Sequence, residues 1–184
     1  RTEAQRMKRM NALKFSLLGA TALVLVACGE AEEDVLAYDS VGACVKAGQQ
    51  DESVCKAEFA KAQKLHNEVA PRYDRANNCY SEFGYNRCYQ SRSSTGTSIW
   101  LPLMAGYMLG SRMGRTVISP QPLYRPASNP NRFYTARSGQ VGAVSADGRT
   151  QVARSQVSRP PVRTRTVARG GFGARATSRR GAGS

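Results

Sequence analysis

Histidine occurs once in this 184-residue chain, at His66, and tryptophan once, at Trp100. Its five cysteines include no C-x-x-C pair. A lone histidine without a close cysteine pair supplies no zinc ligand set, and no thiol redox couple is present. A metal site or catalytic dyad would have to be assembled from carboxylates, and no nucleophile–base pair stands out. The chain is therefore read as a non-enzyme, with no catalytic residue, metal ligand or cofactor assigned. His66 is expected as a half-buried or surface imidazole on a helix. Long apolar runs are also missing: the longest, residues 15–27, is about thirteen residues, short of the ~20 that cross a bilayer as a helix.

That run has a different use. Lys8, Arg9 and Lys14 precede it as a basic region, and it closes on Leu25-Val26-Ala27-Cys28. A basic end, an apolar centre and small residues before a cysteine make a bacterial lipoprotein signal peptide. Cys28 is then the lipidated residue, and a non-lipid signal peptide or a short membrane anchor are the competing readings. Residues 1–6 are expected to precede a true start at Met7 or Met10. Each methylene buried from the two acyl chains contributes ~0.8 kcal/mol, enough to hold a protein on a membrane without a spanning helix. Gly29, where an aspartate would favour retention at the inner membrane, points to an outer-membrane lipoprotein facing the periplasm. Residues 28–37, with Glu30, Glu32, Glu33 and Asp34, are expected as a solvated acidic spacer.

Charge is divided along the rest. Residues 28–90 hold seven basic and eleven acidic side chains, whereas residues 91–184 hold fifteen arginines, no lysine and one acid, Asp147. An acidic head followed by an arginine-only tail suggests that the tail meets polyanions. In an envelope these are lipid phosphates and peptidoglycan carboxylates.

Domains below ~70 residues rarely gain enough from burial alone and usually need covalent staples. Beyond Cys28, the cysteines are Cys44, Cys55, Cys79 and Cys88, an even number suited to two disulfides. Tyr38-Asp39 precedes Cys44 as Tyr73-Asp74 precedes Cys79. This echo favours the local pairs Cys44–Cys55 and Cys79–Cys88 over cross-links between helices. In residues 38–90 a short helix is capped by Asp39 or Ser40 and stopped by Gly48. A second starts after Asp51, with Cys55, Phe59, Ala62, His66 and Val69 on one face, and ends at Pro71. A third short helix precedes Gly84.

Residues 91–118 contain an apolar stretch in which Gly106, Gly110 and Gly114 recur every fourth residue. On a helix this makes a flat stripe for close approach of another helix. Trp100 and Tyr107 would suit a membrane interface. Trp100, Gly106, Tyr107, Gly110 and Gly114 are thus the expected membrane or partner contacts, with packing on the head as the alternative. Residues 119–184 begin with four prolines and continue in Gly, Ser, Thr, Val and Arg, a composition expected to be largely disordered. Leu123, Tyr124, Phe133 and Tyr134 are possible docking side chains. Arg163, Arg165, Arg169, Arg175, Arg179 and Arg180 are the expected contacts to an anionic surface. Residues 169–173 superficially resemble an RGG segment, but an exported chain has little nucleic acid to meet.

The cysteine head, the W-x-P-L-M-A-G-Y-M-x-G block from Trp100 to Gly110, Gln121-Pro122-Leu123-Tyr124 and Arg169-Gly170-Gly171-Phe172-Gly173 resemble the uncharacterised YgiB family of enterobacterial and related proteins. The resemblance implies an envelope lipoprotein and carries no reaction or ligand. The expected fold is mainly α: a small disulfide-stapled helical head, a short glycine-spaced apolar helix and a long disordered basic tail. The expected function is a structural or accessory role at the envelope membrane. Alternatives are an accessory subunit of an envelope enzyme or efflux assembly, and an RGG-like nucleic-acid binder.

Overall fold

The computed structural model describes residues 30–93, 95–111, 118–167 and 172. Strand β1 (Glu32–Tyr38) is followed by helices α1 (Val41–Ala47) and α2 (Glu52–Val69), strand β2 (Arg72–Tyr73) and helix α3 (Ala76–Phe83). Strands β3 (Cys88–Arg92), β4 (Ser98–Pro102), β5 (Gly106–Gly110), β6 (Gln121–Tyr124), β7 (Tyr134–Thr135) and β8 (Arg149–Ala153) come next. A 3-10 turn (Arg154–Gln156) and strand β9 (Thr166–Val167) complete the described elements. One sheet has the order β7-β6-β5-β1-β8 and the other β3-β4-β2-β9.

The expected mainly α fold is therefore wrong: strands outnumber helices, and β1 lies inside a five-stranded sheet. The three head helices do form, the first where its capping residues place it. The Ser40 hydroxyl accepts from the Ala43 amide at 3.1 Å, and Gly48 ends α1 in the left-handed region at φ 67°. Helix α2 starts after Asp51 and stops before Pro71, since proline disfavours helical backbone in the residue before it.

The acidic spacer is the first correction. Val35, Leu36, Ala37 and Tyr38 are all buried, and β1 pairs antiparallel with both β5 and β8. Alternation divides them between two faces. Leu36 and Tyr38 join Tyr107 and Leu109 against α1 and α2, around Cys44, Cys55 and Ala62. Val35 and Ala37 join Met108, Leu123 and Val152 on the other face, beneath Ile118, Phe133 and Val141. A strand buried on both faces reads as a continuous apolar run, and a run of four cannot be told from a helix fragment by periodicity.

The glycine-spaced helix is the second correction. Its residues form β4 and β5, separated at residues 103–105. Gly106 and Gly110 lie on one face of β5, because an interval of four is also a multiple of the strand period. A Cβ on Gly106 would come 2.6 Å from the Tyr38 carbonyl oxygen and 2.9 Å from the Phe133 ring. Close backbone approach inside a sheet accounts for that glycine.

The disordered tail is the third. Through Val167 the described tail supplies β6 to β9, and Leu123, Tyr124, Phe133, Tyr134 and Val141 are buried. Each fully buried side chain of this size contributes roughly 1.5–3 kcal/mol relative to exposure. Phe133 and Val141 cover the second face of the five-stranded sheet, whereas Tyr124 and Tyr134 pack with α2, α3 and β4.

Candidate functional site

His66 projects from α2 into the space between the two sheets and is only 3% exposed. Its Nδ1 lies 3.0 Å from the Tyr124 hydroxyl on β6, and its Nε2 3.1 Å from the Tyr89 hydroxyl on β3. Each sheet thus contributes one phenol to the imidazole. A neutral imidazole carries one N–H and one lone pair, so one tyrosine accepts and the other donates. Burial pushes the His66 pKa down to about 4, which keeps the ring neutral at physiological pH. Burial also raises Tyr124 well above the ordinary phenol range, against a smaller opposing effect of Arg163, and raises Tyr89.

An open groove of about 670 Å³ lies over His66 and Tyr89. Phe59, Leu103 and Met104 form its apolar part, with Gln63, Lys64 and Asn67 of α2 along its polar side. Leu103 is 50% exposed there. The Tyr–His–Tyr chain contains no carboxylate, and its members hold one another; chemically it is a neutral hydrogen-bonded junction that fixes α2 against both sheets. Among the described residues, no three His, Cys, Asp or Glu side chains are grouped to hold a metal ion. No helix among them is long and apolar enough to cross a membrane.

The chain joins Cys44 to Cys55, across the α1–α2 connection, and Cys79 to Cys88, from α3 to the start of β3. The first bridge sits in the core beneath β1 and β5. Cys28, the expected lipidation residue, lies outside the described residues, as do Gly114, Arg169, Arg175, Arg179 and Arg180. Tyr107 is fully buried on β5, where its hydroxyl donates to the Cys55 carbonyl at 3.4 Å and its ring meets Phe59 edge-on at 5.4 Å. Gly106 is buried and Gly110 half-buried, so these two glycines of the expected stripe face packed neighbours. Trp100 remains half-buried at the surface of the second sheet. Arg163 is held by its side chain donating to the Ala136 carbonyl at 2.8 Å and its amide to the Glu68 carbonyl at 2.9 Å, while Arg165 is exposed.

The model of a family described as a protein of unknown function, DUF1190, matches residues 32–183. The chain belongs to this family. That match starts with β1 and so covers every strand and helix described above. A UPF0441 protein of Klebsiella pneumoniae is 34% identical over 173 residues, covering 85% of this chain and 78% of the relative. UPF0441 proteins of Erwinia tasmaniensis and Serratia proteamaculans are 33% and 31% identical, over 86% and 84% of this chain and 78% and 77% of theirs. No solved structure matches the chain.

The sequence reading missed the junction because its members lie far apart: Tyr89 and Tyr124 are 23 and 58 residues from His66. The available signal was that His66 shares a helix face with Cys55, Ala62 and Val69, all of them buried. A histidine on an apolar face needs partners inside.

Proposed function

We propose that this DUF1190 protein is a non-enzymatic, YgiB-like envelope lipoprotein, anchored through Cys28 to the outer membrane with its folded part in the periplasm. Its role is structural or accessory, and Arg165 with the arginines beyond it contacts anionic envelope surface. The observation that carries this reading is the pair of disulfides, Cys44–Cys55 and Cys79–Cys88. Such bridges form and persist in oxidising compartments and are rare in the cytosol. The signal-like residues 8–28 give a route to that compartment. The way the chain enters the fold is compatible with an anchor just upstream. The Glu30 carboxylate accepts from the Ser155 amide at 2.6 Å, and the Ala31 carbonyl accepts from the Arg154 amide at 2.8 Å. A lipid on Cys28 would leave the fold at this edge.

Incorporation of labelled palmitate, followed by membrane fractionation of wild type and Cys28→Ala, tests the proposal. Label in the outer-membrane fraction that disappears in the variant is expected. Absence of label from the wild type refutes the anchor. Crosslinking in membranes separates the accessory-subunit alternative, which requires a stoichiometric protein partner.

A further inference from the structure

The Cys79–Cys88 bridge closes a loop whose tip is the turn over residues 84–87, with the Arg87 amide donating to the Gly84 carbonyl at 3.3 Å. Tyr85 stands on this turn and is 79% exposed. Its ring meets Tyr80 of α3 edge-on at 5.3 Å, and Tyr80 meets Trp100 of β4 in the same manner at 6.0 Å. On the edge strand β3, Gln90 lies directly opposite Trp100. Arg92, two residues on, shares that face. Arg87 and Arg92 are exposed, and among the described residues neither meets a carboxylate.

Three contiguous rings with two uncompensated guanidinium groups and an amide make a two-part chemical surface. Rigid aromatic rings offer amphipathic contact area at low conformational cost, and the stapled turn lowers that cost further. Aromatic faces carry partial negative charge, which suits the polarised C–H faces of sugar rings. Guanidinium forks suit carboxylates. We propose that this surface binds peptidoglycan, with sugar faces on Tyr85 and Trp100 and peptide carboxylates at Arg87 and Arg92. Trp, Tyr and Arg also suit lipid headgroups, but the fold favours the cell wall. β1 begins beyond the Gly110 end of β5, since Val35 lies opposite Gly110 and Tyr38 opposite Tyr107, whereas β4, which carries Trp100, joins β5 at Gly106, its other end. An anchor upstream of Glu30 would then hold the end of the sheet remote from the β4 junction. The inference rests on the envelope reading for the meeting of protein and wall.

The test is co-sedimentation of the full chain, kept soluble in detergent, with purified peptidoglycan sacculi. Salt at about 0.3 M weakens non-specific attraction by the exposed tail arginines. Tyr85→Ala and Arg87→Ala are each expected to weaken binding about tenfold, as loss of an interface anchor does. Tyr85→Phe, which keeps the ring, should stay within about twofold of wild type, and Lys46→Ala on exposed α1 should change nothing. Tyr85 is a surface side chain, so thermal melting should not move. Wild type that stays in the supernatant, or Tyr85→Ala that sediments like wild type, overturns the proposal. So does binding to anionic phospholipid vesicles that Tyr85→Ala abolishes while sacculus binding persists. Failure of palmitate labelling bears on the anchor alone, because purified sacculi meet the protein without export.

Discussion

Lowering the pH from 7 to 5 is expected to destabilise the protein through His66. In the unfolded chain an imidazole titrates near 6.5, whereas in the fold burial brings His66 to about 4. Between those values the unfolded chain binds the extra proton, so stability must fall as pH falls. The contribution is complete above about pH 6.5 and is lost progressively until the folded group itself titrates near 4. Each tenfold difference in proton affinity is worth about 1.4 kcal/mol, so the loss between pH 7 and pH 5 is about 2 kcal/mol. Carboxylates with lowered values, such as Asp147, add their own losses only at lower pH. Urea unfolding without reductant, at half-unit pH intervals from about 7.5 to 5, measures this slope directly. His66→Gln should be less stable at pH 7, because Tyr124 and Tyr89 both lose a ring nitrogen partner. One unsatisfied buried hydroxyl costs about 1–3 kcal/mol. The variant should also lack the slope above pH 5. A wild-type curve that is flat from pH 7 to 5, or a slope retained in His66→Gln, refutes the buried, neutral imidazole.

Two glycines in the left-handed region separate backbone strain from packing. Gly48, with nothing within 4 Å of an added Cβ, should lose about 1 kcal/mol on Gly48→Ala. Gly148, at φ 85° with the Tyr38 ring in the way, should lose about 2–4 kcal/mol on Gly148→Ala, measured by the same urea titration. Gln121→Leu should cost about 2–4 kcal/mol, because the buried Gln121 amide serves the carbonyls of Gln156, Val157 and Ser158. Wild-type stability in that variant would show that water replaces the amide. Cys79→Ala with Cys88→Ala should lower stability by about 2–3 kcal/mol under oxidising conditions and make that loop indifferent to reductant.

Where local rules govern, the sequence was legible. Ser40 and Gly48 bound α1, and Asp51 and Pro71 bound α2, because caps and proline act on their own neighbours. The echoed Tyr-Asp pairs led to the two bridges that the structure contains. Strand β5 was illegible because glycines at every fourth residue satisfy a helical stripe and one face of a strand alike. The acids before Val35 hid β1, since Glu33 and Asp34 find Arg154 and Gln151 rather than water alone. The junction at His66 required partners from both sheets, and neither tyrosine is near it in the chain.

Composition and local signals determined the contrast between an acidic stretch over residues 28–90 and an arginine-only tail over residues 91–184, the even set of cysteines after Cys28, and the existence of the three helices, with both ends of α1 and α2. Tertiary structure decided that the arginine-rich half enters the core. A strand such as β1 gains most when both faces leave water, and the cover for its second face comes from Ile118, Phe133 and Val141, about eighty residues or more downstream of β1 by the numbering. Short-range patterns hold no record of that pairing. Burial of apolar area acts between any segments that can meet, whatever their separation in the chain.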